Sequence, residues 1–206
     1  MRLDTLPPGA RVGTCSARRT AQVLAIRPDV SIVPLRGNVP TRIAKVTGGH
    51  LDAIVLARAG LVRLGLERHL TQVFAVNRML PAPAQGALAV QCRADDRPLR
   101  SLLSALDDEA TRRVVRAERS VLHALGGGCS VPVGALARPD GRRLILTAGV
   151  FGGRGRTSVR VDLDGHDPRS LGETAAARLL ALGGGEILAE FDRAARIDAI
   201  AVGGLR

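Results

Sequence analysis

The chain has 206 residues, of which 46% are hydrophobic and 24% charged, so it can build a core and falls among globular proteins. Its formal net charge is +11 and only 1% of its residues are aromatic, with three Phe and no Trp or Tyr. The charge predicts an anionic partner, while the lack of aromatic stacking platforms argues against single-stranded nucleic acid. No apolar run is long enough for a membrane span and no signal-peptide core precedes the first strand. We therefore expect a cytoplasmic protein with no membrane and no nucleic-acid partner.

Three cysteines at wide, irregular spacing and four scattered histidines fit neither a disulfide framework nor a zinc pattern. The histidines are read as surface or interface residues, and we expect no metal. Nearly all the positive charge is arginine, with Lys45 the only lysine. The planar guanidinium binds carboxylates and phosphates through paired hydrogen bonds. The abundance of arginine therefore favours a ligand that carries such groups.

Strand-like and helix-like segments alternate over roughly the first 80 residues. The predicted strands cover residues 11–14, 30–35, 52–57 and 73–76, and the helices between them cover 17–26, 39–46 and 58–65. Ser16 is suited to cap the first helix, and two glycines end the second. This alternation predicts an α/β region built on a parallel sheet.

A Pro/Gly-rich stretch at residues 80–86 is interpreted as a hinge. It is followed by a predicted strand at 87–92 and helices at 98–106 and 107–125. Predicted strands at 133–137, 144–151 and 157–163, with a hairpin turn at Asp140-Gly141, then lead to helices at 171–182 and 186–191, separated by three glycines. The last part is predicted to be a small α+β domain.

Between the long helix and these strands lies the loop Gly126-Gly127-Gly128-Cys129. Glycines free the backbone there, and the following proline fixes it again, so the thiol of Cys129 could be presented to a ligand. The alternative is that the glycines only end the helix and Cys129 is a small buried apolar residue. The residues alone leave both readings open.

Basic and polar residues recur directly after the predicted parallel strands, where helix N-termini offer free N–H groups to ligands. One reading is a shared anion-binding crevice; the other is that each arginine is a solvated surface residue. The residues concerned are Thr14, Cys15, Ser16, Arg18 and Arg19 after the first strand, Arg36, Gly37, Asn38 and Arg42 after the second, and Arg63 after the third.

Six motifs occur in the order in which the porphobilinogen deaminase (hydroxymethylbilane synthase) family has them, and the chain resembles that family over most of its length. They are GTCSARR at 13–19, LRGNVPTR at 35–42, DAIVLA at 52–57, GLVRLGL at 60–66, LPAPAQGA at 80–87 and GGCSVPVG at 127–134. The resemblance implies a periplasmic-binding-protein-like domain followed by a small α+β domain. It also implies a transferase that condenses porphobilinogen units, with release of ammonia, into a linear tetrapyrrole.

The resemblance further implies a dipyrromethane cofactor joined to Cys129 by a thioether. Its carboxylates and those of the substrate would be bound by the basic crevice. The implied cofactor-binding residues are Cys129, Ser16, Arg18, Arg19, Arg36, Gly37, Asn38 and Arg42, and the implied substrate-binding residues are Arg42, Arg63, Gln85 and Gly86. Cys15 and Ala17 depart from the more usual serine and leucine.

The family's catalytic aspartate belongs to a half-domain that precedes the first strand found here, so the chain is expected to supply no catalytic residue itself. The expected domains are 1–86 (central α/β), 87–106 (hinge and return segment of the first domain) and 107–206 (C-terminal α+β). A monomer is expected at full length. One alternative is a fragment that binds anionic pyrroles without turnover, with the N-terminal segment as its candidate partner. Another is a solute-binding module, which has no use for the thiol of Cys129.

Overall fold

The computed structural model describes residues 2–128, 131–155 and 157–203. The helices are α1 (Ala17–Ile26), α2 (Val39–Thr47), α3 (Arg58–Arg63), α4 (Arg97–Leu103), α5 (Glu109–Ala124), α6 (Pro168–Leu179) and α7 (Gly185–Gly203). The strands are β1 (Arg11–Gly13), β2 (Ser31–Val33), β3 (Ala53–Ile54), β4 (Val133–Asp140), β5 (Arg143–Phe151) and β6 (Ser158–Gly165). None of the described helices is long and apolar enough to cross a membrane.

The N-terminal region contains the predicted parallel sheet, with strand order β2-β1-β3. Its central strand pairs through Val12 with Ile32 on one side and Ala53 on the other. The paired segments are shorter than the predicted strands. Val12, Val23 and Val55 are buried in the core between the sheet and α1. Because the three strands are parallel, the segments that follow β1, β2 and β3 lie at the same edge of the sheet.

Side-chain caps fix where the two helices at this edge begin. The Ser16 hydroxyl accepts the N–H of Arg19 at the start of α1, and the Asn38 carboxamide accepts the N–H of Thr41 at the start of α2. Such caps satisfy N–H groups that have no partner inside the helix. Pro40 lies in the first turn of α2, where its missing N–H costs no hydrogen bond within the helix.

Two predicted strands, at residues 73–76 and 87–92, are wrong. The structure has neither as a strand, although Phe74 packs against the N-terminal core. Leu88 is 80% exposed and Val90 62% exposed. Both runs have the composition of a strand, but no described strand lies alongside them to accept and donate backbone hydrogen bonds. The predicted helix after them forms α4 and a 3-10 turn at Ser104–Leu106.

The C-terminal region is a separate antiparallel sheet, β4-β5-β6, covered by α5 and α6. Asp140 pairs with Arg143 across a two-residue turn in which Gly141 has φ of 56°, as the predicted hairpin requires. Leu146, Val121 and Leu179 are fully buried between sheet and helices. The α+β prediction for this region is confirmed.

The predicted break between the last two helices is also present. Gly183 has φ of 94°, which residues with a Cβ rarely adopt, and it separates α6 from α7. The second of these helices is longer than predicted, since α7 extends from Gly185 to Gly203.

Candidate functional site

Arg18 and Arg19 lie in the first turn of α1, directly after β1. Arg18 is only 5% exposed. Its Nη1 donates to the carbonyl of Leu80, and its Nη2 lies 3.5 Å from Oε1 of Gln85. Arg19 donates from Nη1 to the carbonyl of Val55 at 3.0 Å. In the described part of the chain, the hydrogen-bond partners of both guanidiniums are thus uncharged oxygens.

Burial lowers the pKa of Arg18 to about 10, with the positive charge of Arg19 as a smaller cause. Burial also lowers the pKa of Arg19, helped by the charge of nearby Arg42. Both side chains remain cationic at neutral pH. A buried cation such as Arg18 that faces only neutral oxygens is costly for the fold, and Arg19 lies half-buried next to it in the chain. An anionic ligand beside them would offset that cost.

The two arginines line a cavity of about 330 Å³ between the start of α1, residues 54–59 and residues 69–74. Ile43, Leu56 and Phe74 supply apolar walls, and Gln85 and Gly86 close it from the side of the hinge. Among the described residues that line it, none is an Asp or Glu. A cavity with apolar walls and cationic groups suits a small organic acid with a flat, apolar body.

The polar residues predicted after β2, namely Arg36, Gly37, Asn38 and Arg42, do not line this cavity. Gly37 has φ of 114°, and its carbonyl accepts a hydrogen bond from Nε of Arg42 at 2.7 Å. Asn38 and Ser16 serve as helix caps in this structure. Arg42 is half-buried and close enough to Arg19 for their charges to interact. The structure therefore places Arg18 and Arg19 at the cavity and Arg42 within range of the charge of Arg19.

Arg36 and Arg63 are exposed and do not line the cavity. Arg63 lies in the last turn of α3. Cys15 is exposed as well, and its Sγ accepts the N–H of Leu35 at 3.0 Å. The structure therefore does not bring Arg36 and Arg63 to the cavity, because their side chains leave the sheet edge toward solvent. Cys129, and with it the predicted thioether attachment, lies outside the described residues.

Two buried polar residues, Gln22 and Glu118, were not predicted from the sequence to contribute to this site. Gln22 donates from Nε2 to the carbonyls of Arg18 and Leu80 and accepts the N–H of Leu80 at 2.7 Å. Glu118 accepts N–H groups from Ala84 and Ala137. A signal existed for each: Gln22 lies one turn after Arg18, and Glu118 lies between apolar residues on the buried face of α5.

Leu80 connects this site to the C-terminal region. Its side chain is fully buried with Ala21 and Phe151, and the neighbouring carbonyl of Pro81 accepts the N–H of Ala135 at 3.1 Å. Both backbone groups of Leu80 are bound by side chains of α1. The segment predicted to be a hinge, residues 80–86, is thus bonded both to side chains of α1 and to the backbone of the C-terminal region. In the described ranges, no group of three His, Cys, Asp or Glu could hold a metal ion.

Comparison with known proteins gives a consistent result along the chain. Residues 1–101 match the family model described as porphobilinogen deaminase, dipyromethane cofactor binding domain, and residues 113–181 match the model of the porphobilinogen deaminase C-terminal domain. Curated proteins named porphobilinogen deaminase are similar to it. That of Brevibacillus brevis is 49% identical over 192 residues, or 93% of this chain and 62% of the relative.

The protein of that name from Desulforudis audaxviator is 50% identical over 190 residues, covering 91% of this chain and 62% of the relative. The one from Roseiflexus sp. is 48% identical over 191 residues, covering 92% and 63% respectively. The chain therefore spans about three fifths of the length of the curated relatives it matches.

Proposed function

Since this chain belongs to the porphobilinogen deaminase family, we propose that it holds a dipyrromethane cofactor, attached to Cys129, and binds the carboxylates of pyrrole substrates. The observation that carries the proposal is that the buried Arg18 and the half-buried Arg19 donate hydrogen bonds only to neutral oxygens among the described residues. The acetate and propionate groups of porphobilinogen would supply the missing negative charge. Arg42, beside Arg19, extends the positive field along the cavity.

The proposed reaction is that of hydroxymethylbilane synthase. Each step forms a carbon–carbon bond between the free α-carbon of the growing chain and the aminomethyl carbon of porphobilinogen; the carbon–nitrogen bond breaks, and ammonia leaves. A bound cofactor would supply the first pyrrole acceptor. The residues of this chain bind and orient: the arginines hold carboxylates, and the apolar walls of the cavity exclude water from the rings.

A second candidate is binding without turnover by this chain alone, and the composition of the cavity favours it. The described lining residues include no carboxylate that could stabilise a cationic pyrrole. Asp52, the nearest candidate in the sequence motifs, has its carboxylate engaged with the exposed guanidinium of Arg11 at 3.2 Å. We propose that the acidic group belongs to the part of the relatives that lies outside the match.

The domain boundaries proposed are residues 1–86, 87–106 and 107–206, with a periplasmic-binding-protein-like arrangement of the first part. The exposure of Leu88 and Val90 supports residues 87–106 as the return segment of another domain, because these side chains would find a partner there. A cytoplasmic location and a monomeric full-length enzyme stay predictions.

The experiment that tests cofactor attachment is an intact mass measurement on the 206-residue protein expressed with porphobilinogen or hydroxymethylbilane available. We expect a dipyrromethane adduct on the wild type. Cys129→Ser should lack it, and the matched variants Cys15→Ser and Cys92→Ser should keep it. A wild type without adduct contradicts the attachment, and an adduct that persists in Cys129→Ser places it on another residue.

Porphobilinogen turnover, measured on the same samples, separates the two candidates. Ammonia release by this chain would contradict the proposal that the acidic group lies elsewhere. Arg19→Gln should weaken porphobilinogen binding by about 1.5–3 kcal/mol, the range for a hydrogen bond to a charged group. The exposed Arg169 offers a control, since Arg169→Gln removes an equal charge far from the cavity.

A further inference from the structure

Glu118 joins three parts of the molecule through one buried carboxylate. It lies in the middle of α5 and is 4% exposed. Its Oε1 accepts the N–H of Ala137 in β4 at 2.8 Å, and its Oε2 accepts the N–H of Ala84 at 2.5 Å. Ala84 belongs to the segment of residues 80–86 that lines the cavity at Gln85 and Gly86. A side chain of the C-terminal region therefore reaches the wall of the proposed ligand site.

Ala84 has an unusual backbone conformation. Its φ is 60°, and among the described residues it is the only non-glycine with a positive φ. A residue with a Cβ is strained in this left-handed region, so surrounding contacts must hold it there. The hydrogen bond from its N–H to the carboxylate of Glu118 is such a contact.

The conformation of Ala84 sets the direction of the next residue. Gln85 turns back so that its Oε1 accepts the N–H of Ala82 at 3.3 Å and lies 3.5 Å from Nη2 of Arg18. With a negative φ at Ala84, the backbone would carry Gln85 away from Arg18. The contact between Gln85 and the buried arginine thus depends on the strained alanine.

We propose that Glu118 is a positioning residue of the anion site: by holding Ala84 in the left-handed conformation, it keeps the amide oxygen of Gln85 against Arg18. The inference deepens the proposed function and rests on it only where it concerns ligand affinity. The same helix ends at Ala124, five residues before Cys129 in the sequence.

A purely structural role is the competing explanation, in which Glu118 only satisfies two buried N–H groups. Glu118→Gln separates the two because it keeps the shape of the side chain and replaces one acceptor oxygen by an NH₂ donor. One of the two N–H groups then loses its acceptor. Ala84→Gly in the Glu118→Gln background gives the matched rescue, since glycine adopts a positive φ without strain.

The measurement is NMR on the full 206-residue chain, together with calorimetric titration of porphobilinogen. In the wild type, the Ala84 amide should be protected from hydrogen exchange, although it lies in a turn. Glu118→Gln should remove that protection and shift the side-chain signals of Gln85 and Arg18. It should also weaken porphobilinogen binding by roughly three- to tenfold, as expected for a residue that influences a binding site without touching the ligand. Adding Ala84→Gly should return the Gln85 and Arg18 signals and most of the affinity.

Val121→Ala is the control for lost stability, because Val121 is buried one turn further along α5, in a core cluster whose described members include no residue of 80–86. It should lower stability and leave the Gln85 and Arg18 signals and the affinity as in the wild type. The proposal is overturned if Glu118→Gln leaves these signals unchanged, if Ala84→Gly gives no rescue, or if Val121→Ala weakens binding equally.

The positioning role stays testable if the Glu118→Gln variant does not fold or if the wild type does not bind porphobilinogen. If Glu118→Gln does not fold, the exchange rate of the Ala84 amide in the wild type still decides: rapid exchange, as in an open loop, overturns the proposal, and protection supports it. If the wild type binds no porphobilinogen, the proposed function fails. The response of Ala84, Gln85 and Arg18 to Glu118→Gln then still tests the positioning role.

Discussion

In the C-terminal region, β5 has a hydrogen-bonded strand on each side and helices over one face, and Leu146 and Val150 are fully buried. Residues 87–92 are a run of similar composition, yet they are not a strand, and Leu88 and Val90 remain largely exposed. The two segments differ in their neighbours more than in their residues. Strand formation depends on a partner that accepts the backbone hydrogen bonds and covers the side chains.

The same contrast separates the helices that follow. α5 presents Ala117 and Val121 to a complete core, whereas Leu102 and Leu106, further along the chain from residues 87–92, are largely exposed (72% and 70%). We therefore expect the C-terminal region to carry the stability of this chain, and residues 87–106 to contribute little.

The largest expected effect is at the centre of β5. Leu146→Ala should lower the free energy of unfolding by about 2–5 kcal/mol, because it leaves a cavity in a packed core. Leu88→Ala should change it by no more than about 0.5 kcal/mol, as at other exposed positions. Denaturant unfolding measures both. Equal losses at the two positions would show that residues 87–92 are packed after all.

A second prediction concerns the contact of α5 with α6. A Cβ at Gly172 would come within 2.4 Å of the carbonyl of Ala117 and 2.5 Å of Ser120 Cβ. Gly172→Ala should therefore cost about 1–3 kcal/mol through overpacking. Gly185→Ala in α7 meets only ordinary contact at 3.5 Å and should gain roughly 0.5–1 kcal/mol from helix propensity. Thermal unfolding of the pair checks the opposite signs.

A third prediction uses the exposed apolar side chains of residues 87–106. Because Leu88 and Leu102 form part of an uncovered apolar surface, the chain should self-associate with rising concentration. The double variant Leu88→Lys, Leu102→Lys should sediment as a smaller species at the same concentration, with unchanged unfolding free energy. Association that persists in this variant would have to come from another surface.

The smallest expected effect is a pH dependence at the start of α5. The Asp108 carboxylate accepts the N–H of Thr111 at 2.7 Å. Hydrogen bonding from the Thr111 side chain, and to a smaller extent from this N–H, lowers the pKa of Asp108 below its ordinary value of 3.8. A lowered pKa means that the stabilisation is present above that ordinary value and is lost as the pH falls through the lowered one.

Asp108→Asn keeps a capping side chain and removes the charge. The difference in unfolding free energy between wild type and this variant should therefore shrink as the solution is acidified below pH 3.8. Asp96→Asn is the matched control: Asp96 caps α4 through the N–H of Leu99 in the same way, but α4 lies among exposed residues. An unchanged difference down to low pH would contradict the role of the charge at Asp108.

Elements with local signals could be predicted from the sequence. The cap at Ser16, the hairpin at Gly141 and the break at Gly183 each depend on one residue's own geometry or hydrogen bonds, and the structure has all three. The strands at 73–76 and 87–92 could not be judged, because the deciding factor is a neighbour far along the chain or outside it.

The candidate site shows the same division. The order of strands sufficed to bring Arg18 and Arg19 to one edge, but it does not decide which side chains turn inward, and Arg36 and Arg63 turn to solvent. Gln22 and Glu118 act on segments 58 and 34 residues away. Such contacts form only when two regions pack together, so the hydrophobic periodicity of the sequence does not predict them.

The backbone of Leu80 has a thermodynamic consequence for ligand binding. Because its carbonyl accepts from Arg18 and its N–H is bound by Gln22, the guanidinium loses its rotational freedom when the protein folds. A carboxylate of the proposed ligand would meet a preorganised donor, and its binding would not include that entropy loss. Since the Leu80 side chain packs on Phe151, loosening the C-terminal core should release the arginine and weaken binding before the parallel sheet unfolds.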